Sequence, residues 1–194
     1  MSKPTVAIVG RPNVGKSTLV NRLAESREAI VHESRGVTRD RSYHDCEWAG
    51  HEFTLVDTGG IEPMPLQDAF APHIREQALI ACSEADVIVF VADGSVGVTD
   101  EDEEVARVVR RAGKPVLLVV NKMDNPDDEL AAWQYYSLGI GEPKAISAGH
   151  GYGTGDLLDD IVALLPDEEA LEGSEDMLSI AFIGRPNVGK TSLA

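Results

Sequence analysis

The 194-residue chain carries 33 acidic against 17 basic residues, a formal net charge of −16, and such a field repels nucleic acid and anionic membrane surfaces at long range. No apolar run approaches the roughly 18 residues of a membrane span, and the two cysteines, Cys46 and Cys82, show neither CxxC spacing nor a neighbouring histidine cluster, which argues against a zinc site and a disulfide framework. The expectation is a soluble cytoplasmic protein with buried thiols, no membrane insertion and no DNA partner, in which any grip on RNA lies mainly outside this chain.

The first predicted strand, Thr5 to Val9, leads into Gly10, Arg11, Pro12, Asn13, Val14, Gly15, Lys16, Ser17 and Thr18. A glycine-bearing turn between a strand and a helix is the context a phosphate-binding loop requires. Its backbone amides wrap a β-phosphate, Lys16 brings positive charge between the terminal phosphates, and Ser17 offers a hydroxyl to Mg2+. The helix that follows is predicted to end near Glu25. A polar stretch to Arg41 with a Gly36 hinge comes next, and its Arg35, Arg39 and Arg41 are read as solvated. Trp48, Ala49, Gly50 and His51 form the turn of a predicted hairpin joining Tyr43 to Glu47 with Glu52 to Asp57. That strand ends on Asp57, Thr58, Gly59, Gly60 and Ile61. An aspartate at a strand end can hold Mg2+ through water, and the Gly60 amide can donate to a γ-phosphate and be released on hydrolysis.

A helix is predicted from Ala69 to Ser83, a strand from Val87 to Ala92 and a helix from Asp100 to Ala112. Thr99 is its expected N-cap, and the acidic residues after it are read as a solvated first turn that complements the helix dipole rather than as a metal site. The strand Val116 to Val120 runs into Asn121, Lys122, Met123 and Asp124. Asp124 can accept the N1 and N2 hydrogens of guanine, whereas adenine offers no matching donors, and a confined site built on such bonds discriminates strongly. The Lys122 stem can lie along the base, and Asn121 can tie this loop to the P-loop. A helix from Asp127 to Ser137 carries Trp133, Tyr135 and Tyr136, read as packing residues rather than a stacking platform. Ser147, Ala148 and Gly149 follow the next strand, where a backbone amide can reach guanine O6. His150 beside them is read as a surface-loop residue, and His32, His44, His51 and His73 form no ligand set. A last helix is expected over Thr154 to Leu165. Val- and Ile-rich runs alternating with helices specify an α/β fold: a three-layer P-loop NTPase G domain with about six mostly parallel strands and helices on both faces.

Residues 1–165 make this domain, and the acidic, aperiodic segment 166–178 is expected to be an extended linker. Residues 179–194 repeat the opening of the chain: the run from Ser179 to Ile183 leads into Gly184, Arg185, Pro186, Asn187, Val188, Gly189, Lys190 and Thr191, identical to the first loop over seven residues. They are expected to be the strand and P-loop that begin a second G domain.

The order of these motifs resembles that of the translation-factor-related GTPases. The stretch Gly36-Val-Thr-Arg-Asp40 and the second P-loop after an acidic linker are similar to the EngA (Der) family of tandem bacterial GTPases, over nearly all of residues 1–165. This resemblance implies hydrolysis of GTP to GDP and phosphate with Mg2+, as a switch in assembly of the large ribosomal subunit. Its implied partners are the second G domain of the same chain and, for the full-length protein, the large ribosomal subunit or its rRNA. It further implies that Thr38 closes on Mg2+ in the GTP state, that Lys16, Thr38 and Gly60 act on the γ-phosphate, and that Ser17, Thr38 and Asp57 serve the metal. Ile61 stands where Ras-like enzymes place a water-orienting glutamine, which an aliphatic side chain cannot replace. The family resemblance implies that Asn13 instead helps to coordinate K+ beside the β- and γ-phosphates. An alternative is a binding module with negligible turnover that senses GTP against GDP and gates a contact with RNA or protein.

Overall fold

Four apolar, Val-, Ile- and Leu-bearing segments are long enough for strands, over residues 5–9, 53–56, 87–92 and 116–120, and the structure folds them into one sheet. A computed structural model describes residues 3–24, 32–34, 42–58, 78–125 and 129–166. Several predicted features lie outside the described residues: Gly36 and Thr38, the turn of Gly59, Gly60 and Ile61, the start of the helix expected from Ala69, Asp127, and everything after residue 166. The last group includes the second loop, Gly184, Arg185, Pro186, Asn187, Val188, Gly189, Lys190 and Thr191. Apart from Pro166, the described residues belong to one compact unit, Lys3–Leu165.

The strands are β1 (Thr5–Val9), β2 (His32–Ser34), β3 (Ser42–Trp48), β4 (His51–Asp57), β5 (Val87–Asp93), β6 (Val116–Asn121) and β7 (Pro143–Ala145). Their order in the sheet is β2-β3-β4-β1-β5-β6-β7. From β4 to β7 neighbouring strands are parallel, while β2, β3 and β4 form an antiparallel edge. The chain leaves β1 for β4 on one side and reaches β5 on the other, so the strand order reverses at β1. In open α/β sheets the crevice beyond the carboxyl ends at such a reversal is where ligands bind. Here it is the segment that starts at Gly10.

Helices α1 (Lys16–Ala24) and α5 (Thr154–Leu164) cover one face. There Leu19, Val20, Leu23, Leu157, Leu158 and Ile161 close on Val6, Ile8, Val87 and Val89. On the other face lie the helical residues 78–84 (α2), α3 (Asp100–Ala112), α4 (Glu129–Ala132) and a 3-10 helix (Trp133–Leu138). These pack on Ala7, Val9, Ile88, Phe90 and Ala92. The alternation along β1 and β5 divides successive side chains between two cores, and every residue of β5 is buried, as a parallel strand covered on both faces requires. Cys46 and Cys82 are buried free thiols, and burial pushes Cys46 up to about 12 and Cys82 up to about 11. Among the described residues no helix is long and apolar enough to cross a membrane.

The described sheet agrees with the expected mostly parallel sheet of about six strands, a seventh, His32–Ser34, extending the hairpin edge; three polar residues carry no apolar periodicity to announce a strand. Two expectations need correction. The first turn of α3 is not wholly solvated. Thr99 caps it as expected, in a reciprocal box with Asp102, but Asp102 is fully buried. The aromatic segment predicted as an α-helix with packed rings is mostly a 3-10 helix. Its three-residue repeat turns Tyr135 inward while placing Trp133 and Tyr136 together outside, 50% and 60% exposed with ring centroids 6.2 Å apart.

Candidate functional site

The carboxyl ends of β1, β4, β5 and β6 deliver Gly10, Asp57, Asp93 and Asn121 to one edge of the sheet. The loop after β1 turns through Asn13, whose φ is +64°, and Gly15, whose φ is +95°, before α1 begins at Lys16. Gly15 is required twice over. Its φ disfavours any side chain, and a Cβ there would stand 2.4 Å from Asn121 Nδ2. Lys16 is only 7% exposed, and its Nζ donates to the carbonyls of Gly10 (2.9 Å) and Arg11 (2.8 Å). Burial pulls its pKa down to about 8, with Asp57 opposing that shift and Arg11 adding to it. A partly desolvated cation inside a loop of backbone amides, at the N-terminus of a helix, is an anion site that gains from a phosphate.

Asp57 is paired in register with Ile8 and is 3% exposed. The next residue, Thr58, fixes the strand end by donating its hydroxyl to the Ile8 carbonyl at 2.8 Å. Ser17 and Thr18 are exposed on the first turn of α1. The Ser17 hydroxyl and the Asp57 carboxylate are oxygen donors of the kind a hard divalent cation such as Mg2+ takes, so their chemistry fits that ion. Asn13 is exposed.

The segment that follows β6 is locked to the loop that follows β1. Asn121 is buried; its Nδ2 donates to the Val14 carbonyl at 2.8 Å, and its Oδ1 accepts from the Ala148 amide at 2.9 Å. Lys122 takes a φ of +66°, and its Nζ donates to the Asn13 carbonyl (2.8 Å) and to Asp93 Oδ2 (2.6 Å). Met123 is buried while Asp124 is exposed at the surface of the loop. Asp124 Oδ1 accepts the Ser147 hydroxyl at 2.7 Å and lies 3.2 Å from His150 Nδ1. The Ser147 bond is the main reason the Asp124 pKa is lowered, with partial desolvation opposing it and His150 assisting. A carboxylate held ionised by one side and open on the other is suited to accept hydrogens from a ligand edge.

Gly10 to Thr18, Asp57, Thr58, Asn121 to Asp124 and Ser147 to Gly149 therefore converge on one end of the sheet. Asp93 and Arg22 were absent from the sequence reading, and His150 does more than that reading gave it. Asp93 has the signal of Asp57 and Asn121, a polar residue closing an apolar strand, but no motif around it. Arg22 donates from Nε to the Ala148 carbonyl (3.0 Å) and from Nη2 to the Gly149 carbonyl (2.6 Å); 126 positions separate it from that loop. His150, read as an ordinary surface histidine, touches both Asp124 and Ser147.

The family described as 50S ribosome-binding GTPase matches residues 5–122. The chain is 55% identical over 195 aligned residues to GTPase Der of Limosilactobacillus reuteri (strain DSM 20016) and 54% identical over 193 to GTPase Der of Heliobacterium modesticaldum (strain ATCC 51547 / Ice1). Both alignments take in 100% of this chain and 44% of the relative, so the chain spans less than half the length of these proteins. Among solved structures, Aquifex aeolicus Era bound to GDP·AlF4− superposes with a TM-score of 0.67 at 31% identity, covering 86% of this chain and 58% of that one. Translation elongation factor SelB of Methanococcus maripaludis, in complex with a GTP analogue, has a TM-score of 0.62 at 21% identity, over 91% of this chain and 35% of that one, a likeness of fold alone.

Proposed function

Because the chain belongs to the 50S ribosome-binding GTPase family, we propose that this domain binds GTP across the edge formed by β1, β4, β5 and β6 and hydrolyses it to GDP and phosphate. The observation that carries the reading is the Asn121 carboxamide. By bonding Val14 on one side and Ala148 on the other, it holds a phosphate-binding loop and a guanine-complementary carboxylate in one rigid frame.

In this reading the amides of residues 10–17 surround the β-phosphate and Lys16 leaves its carbonyl partners for the β- and γ-phosphate oxygens. Ser17 and Asp57 would hold Mg2+, which would supply neutralisation of negative charge on the phosphates. Water attacks the γ-phosphorus, the bond to the β,γ-bridging oxygen breaks, GDP leaves and the water proton ends on inorganic phosphate. Thr38 and Gly60 are proposed to close on the metal and on the γ-phosphate, and Asn13 to help to hold K+, where electrostatic preorganisation replaces a glutamine or an arginine. Turnover is expected to be slow and faster in KCl than in NaCl at matched ionic strength. Residues 179–194, with Gly184 to Thr191, are proposed to open a second G domain, and the longer protein to act in the cytoplasm on the large ribosomal subunit or its rRNA during assembly.

Two measurements test this. Affinity for GTP should exceed that for ATP by orders of magnitude, and equal affinities would remove the guanine assignment. Co-sedimentation of the full-length protein with large ribosomal subunits should depend on whether GTP or GDP is supplied; no association in either state would remove the ribosomal part. Ile61 favours a second reading, a GTP/GDP sensor with negligible turnover, since no glutamine follows the Asp57-Thr-Gly-Gly turn. Release of phosphate from bound GTP in a single turnover decides against the sensor; its absence over hours decides for it.

A further inference from the structure

The carboxylate of Asp93, at the end of β5, is 6% exposed and divides its two oxygens between different tasks. Oδ1 accepts the Ser95 amide (3.0 Å) and hydroxyl (2.6 Å), which shapes the turn leaving β5. Oδ2 faces two cations: Lys122 Nζ at 2.6 Å, and Arg11 Nη2 at 3.6 Å. Arg11 belongs to the phosphate loop and Lys122 to the base-reading segment. Lys122 also returns to the phosphate loop through the Asn13 carbonyl. Arg11 Nε lies 3.5 Å from Asp102 Oδ1, inside the cap of α3.

The surrounding backbone is fitted to this arrangement. Gly94 donates its amide to the Asn121 carbonyl at 2.7 Å. A Cβ on Gly94 would stand 2.1 Å from Met123 Sδ and 3.0 Å from the Asn121 carbonyl oxygen, so β5 and the segment after β6 approach closely here. Behind them the Tyr135 hydroxyl donates to the Asp93 carbonyl at 2.5 Å. Burial alone would raise the Asp93 pKa, but the bonds from Lys122 and Ser95 outweigh it and the net shift is downward.

From this geometry we infer that Asp93 is a positioning residue for nucleotide binding: it holds the Lys122 ammonium beside the Asn13 carbonyl of the phosphate loop. The assignment rests on the guanine-nucleotide reading above and deepens it. Lys122 is 40% exposed, and a lysine freed from its carboxylate has many solvated rotamers to occupy. Its alignment along a base is therefore set by Asp93 and the Asn13 carbonyl, and neither need touch the nucleotide.

The test is a double-mutant cycle on the 194-residue chain, read as GDP affinity by calorimetry in Mg2+ buffer. Asp93→Asn keeps Oδ1 for the Ser95 turn but presents an amide where Oδ2 faced Lys122 and Arg11. It is expected to weaken GDP about tenfold, within the range for directly contacting residues. Lys122→Ala should weaken GDP as well, and adding Asp93→Asn to it should cost no more than about a further twofold, since the lysine to be positioned is gone. Ser95→Ala, which loosens the same turn without touching Lys122, should bind GDP as the wild type does. Losses that multiply in the double variant, an Asp93→Asn affinity within about twofold of wild type, or an equal loss in Ser95→Ala would each overturn the assignment. A wild-type chain that takes up no GDP would overturn the nucleotide reading itself, an outcome distinct from a binding wild type that is indifferent to Asp93.

Discussion

Asn121 Nδ2 and the Val14 carbonyl oxygen, 107 positions apart in the chain, lie 2.8 Å from one another. Both are buried, and the other end of the same carboxamide accepts the Ala148 amide. Asn121→Ala leaves a buried carbonyl and a buried amide without these partners, at a cost of about 1–3 kcal/mol for each group that water cannot reach. The expected result is a lower urea midpoint together with GDP affinity reduced by at least tenfold. Unchanged values of both would show that the two loops are held by something else.

Asp124→Asn replaces an acceptor-only carboxylate with a carboxamide. The guanine N1 and N2 hydrogens lose an acceptor and meet a donor, whereas the xanthine edge presents a carbonyl that the amide can complement. GTP affinity should fall by roughly 10³-fold or more while xanthosine triphosphate binding rises, on the scale seen when a hydrogen-bonding site meets the wrong edge. The Ser147 hydroxyl, 2.7 Å from Asp124 Oδ1, can still donate to the Asn oxygen, so the loop should hold its shape. Competition of both nucleotides against a fluorescent GDP derivative measures this, and a variant that prefers GTP as strongly as the wild type would remove Asp124 from base reading.

Lys16 gives a pH signature. Burial pulls its pKa down to about 8 in the folded protein from the ordinary 10.5 of an exposed lysine. Between those values the unfolded chain binds more protons, so the wild type gains stability as pH rises from about 8 toward 10.5. Below about 8 the buried ammonium is a standing cost on the order of 3 kcal/mol. Lys16→Met should therefore melt higher than wild type near pH 7 in the absence of nucleotide, with the difference shrinking as pH approaches 10. The same variant should lose GDP binding. Melting curves that stay parallel across this range would show that Lys16 is not desolvated.

Much of this site was legible in the sequence because its chemistry is local. The phosphate loop and the segment Asn121 to Asp124 each place a glycine turn or a polar group directly after an apolar strand, and strand ends are visible as changes of periodicity. The seven-residue repeat made the first loop plain. What escaped was non-local. Arg22 acts on a loop 126 positions away, and nothing in its neighbourhood separates it from a solvated helix residue. Asp102 was read as one of a run of exposed acids because the cap geometry, not the composition, turns it inward beside Arg11. The segment from Trp133 to Leu138 has an aromatic spacing compatible with an α-helix, and the inward pull of Tyr135 on the Asp93 carbonyl accompanies a tighter coil that composition does not specify. Asp93 ends an apolar strand as Asp57 does, yet only three-dimensional proximity joins it to Lys122.

Arg22 joins the two ends of α1 to the two halves of the site. The helix carries the phosphate loop at its N-terminus, and from its last turn Arg22 donates to the carbonyls of Ala148 and Gly149 at 3.0 and 2.6 Å. A cation there also complements the negative end of the helix dipole. Arg22→Ala should leave the sheet intact and loosen the loop that carries Ser147, the residue that orients Asp124, weakening GDP by several-fold, on the order of 1 kcal/mol. Arg22→Lys should recover only part of that loss, because a single ammonium lacks the planar fork that reaches two carbonyls at once. Calorimetric titration of both variants distinguishes this from a simple charge effect: a lysine that restores full affinity would mean that the positive charge alone matters, and an alanine that binds as tightly as wild type would mean that α1 does not support the base-reading loop at all.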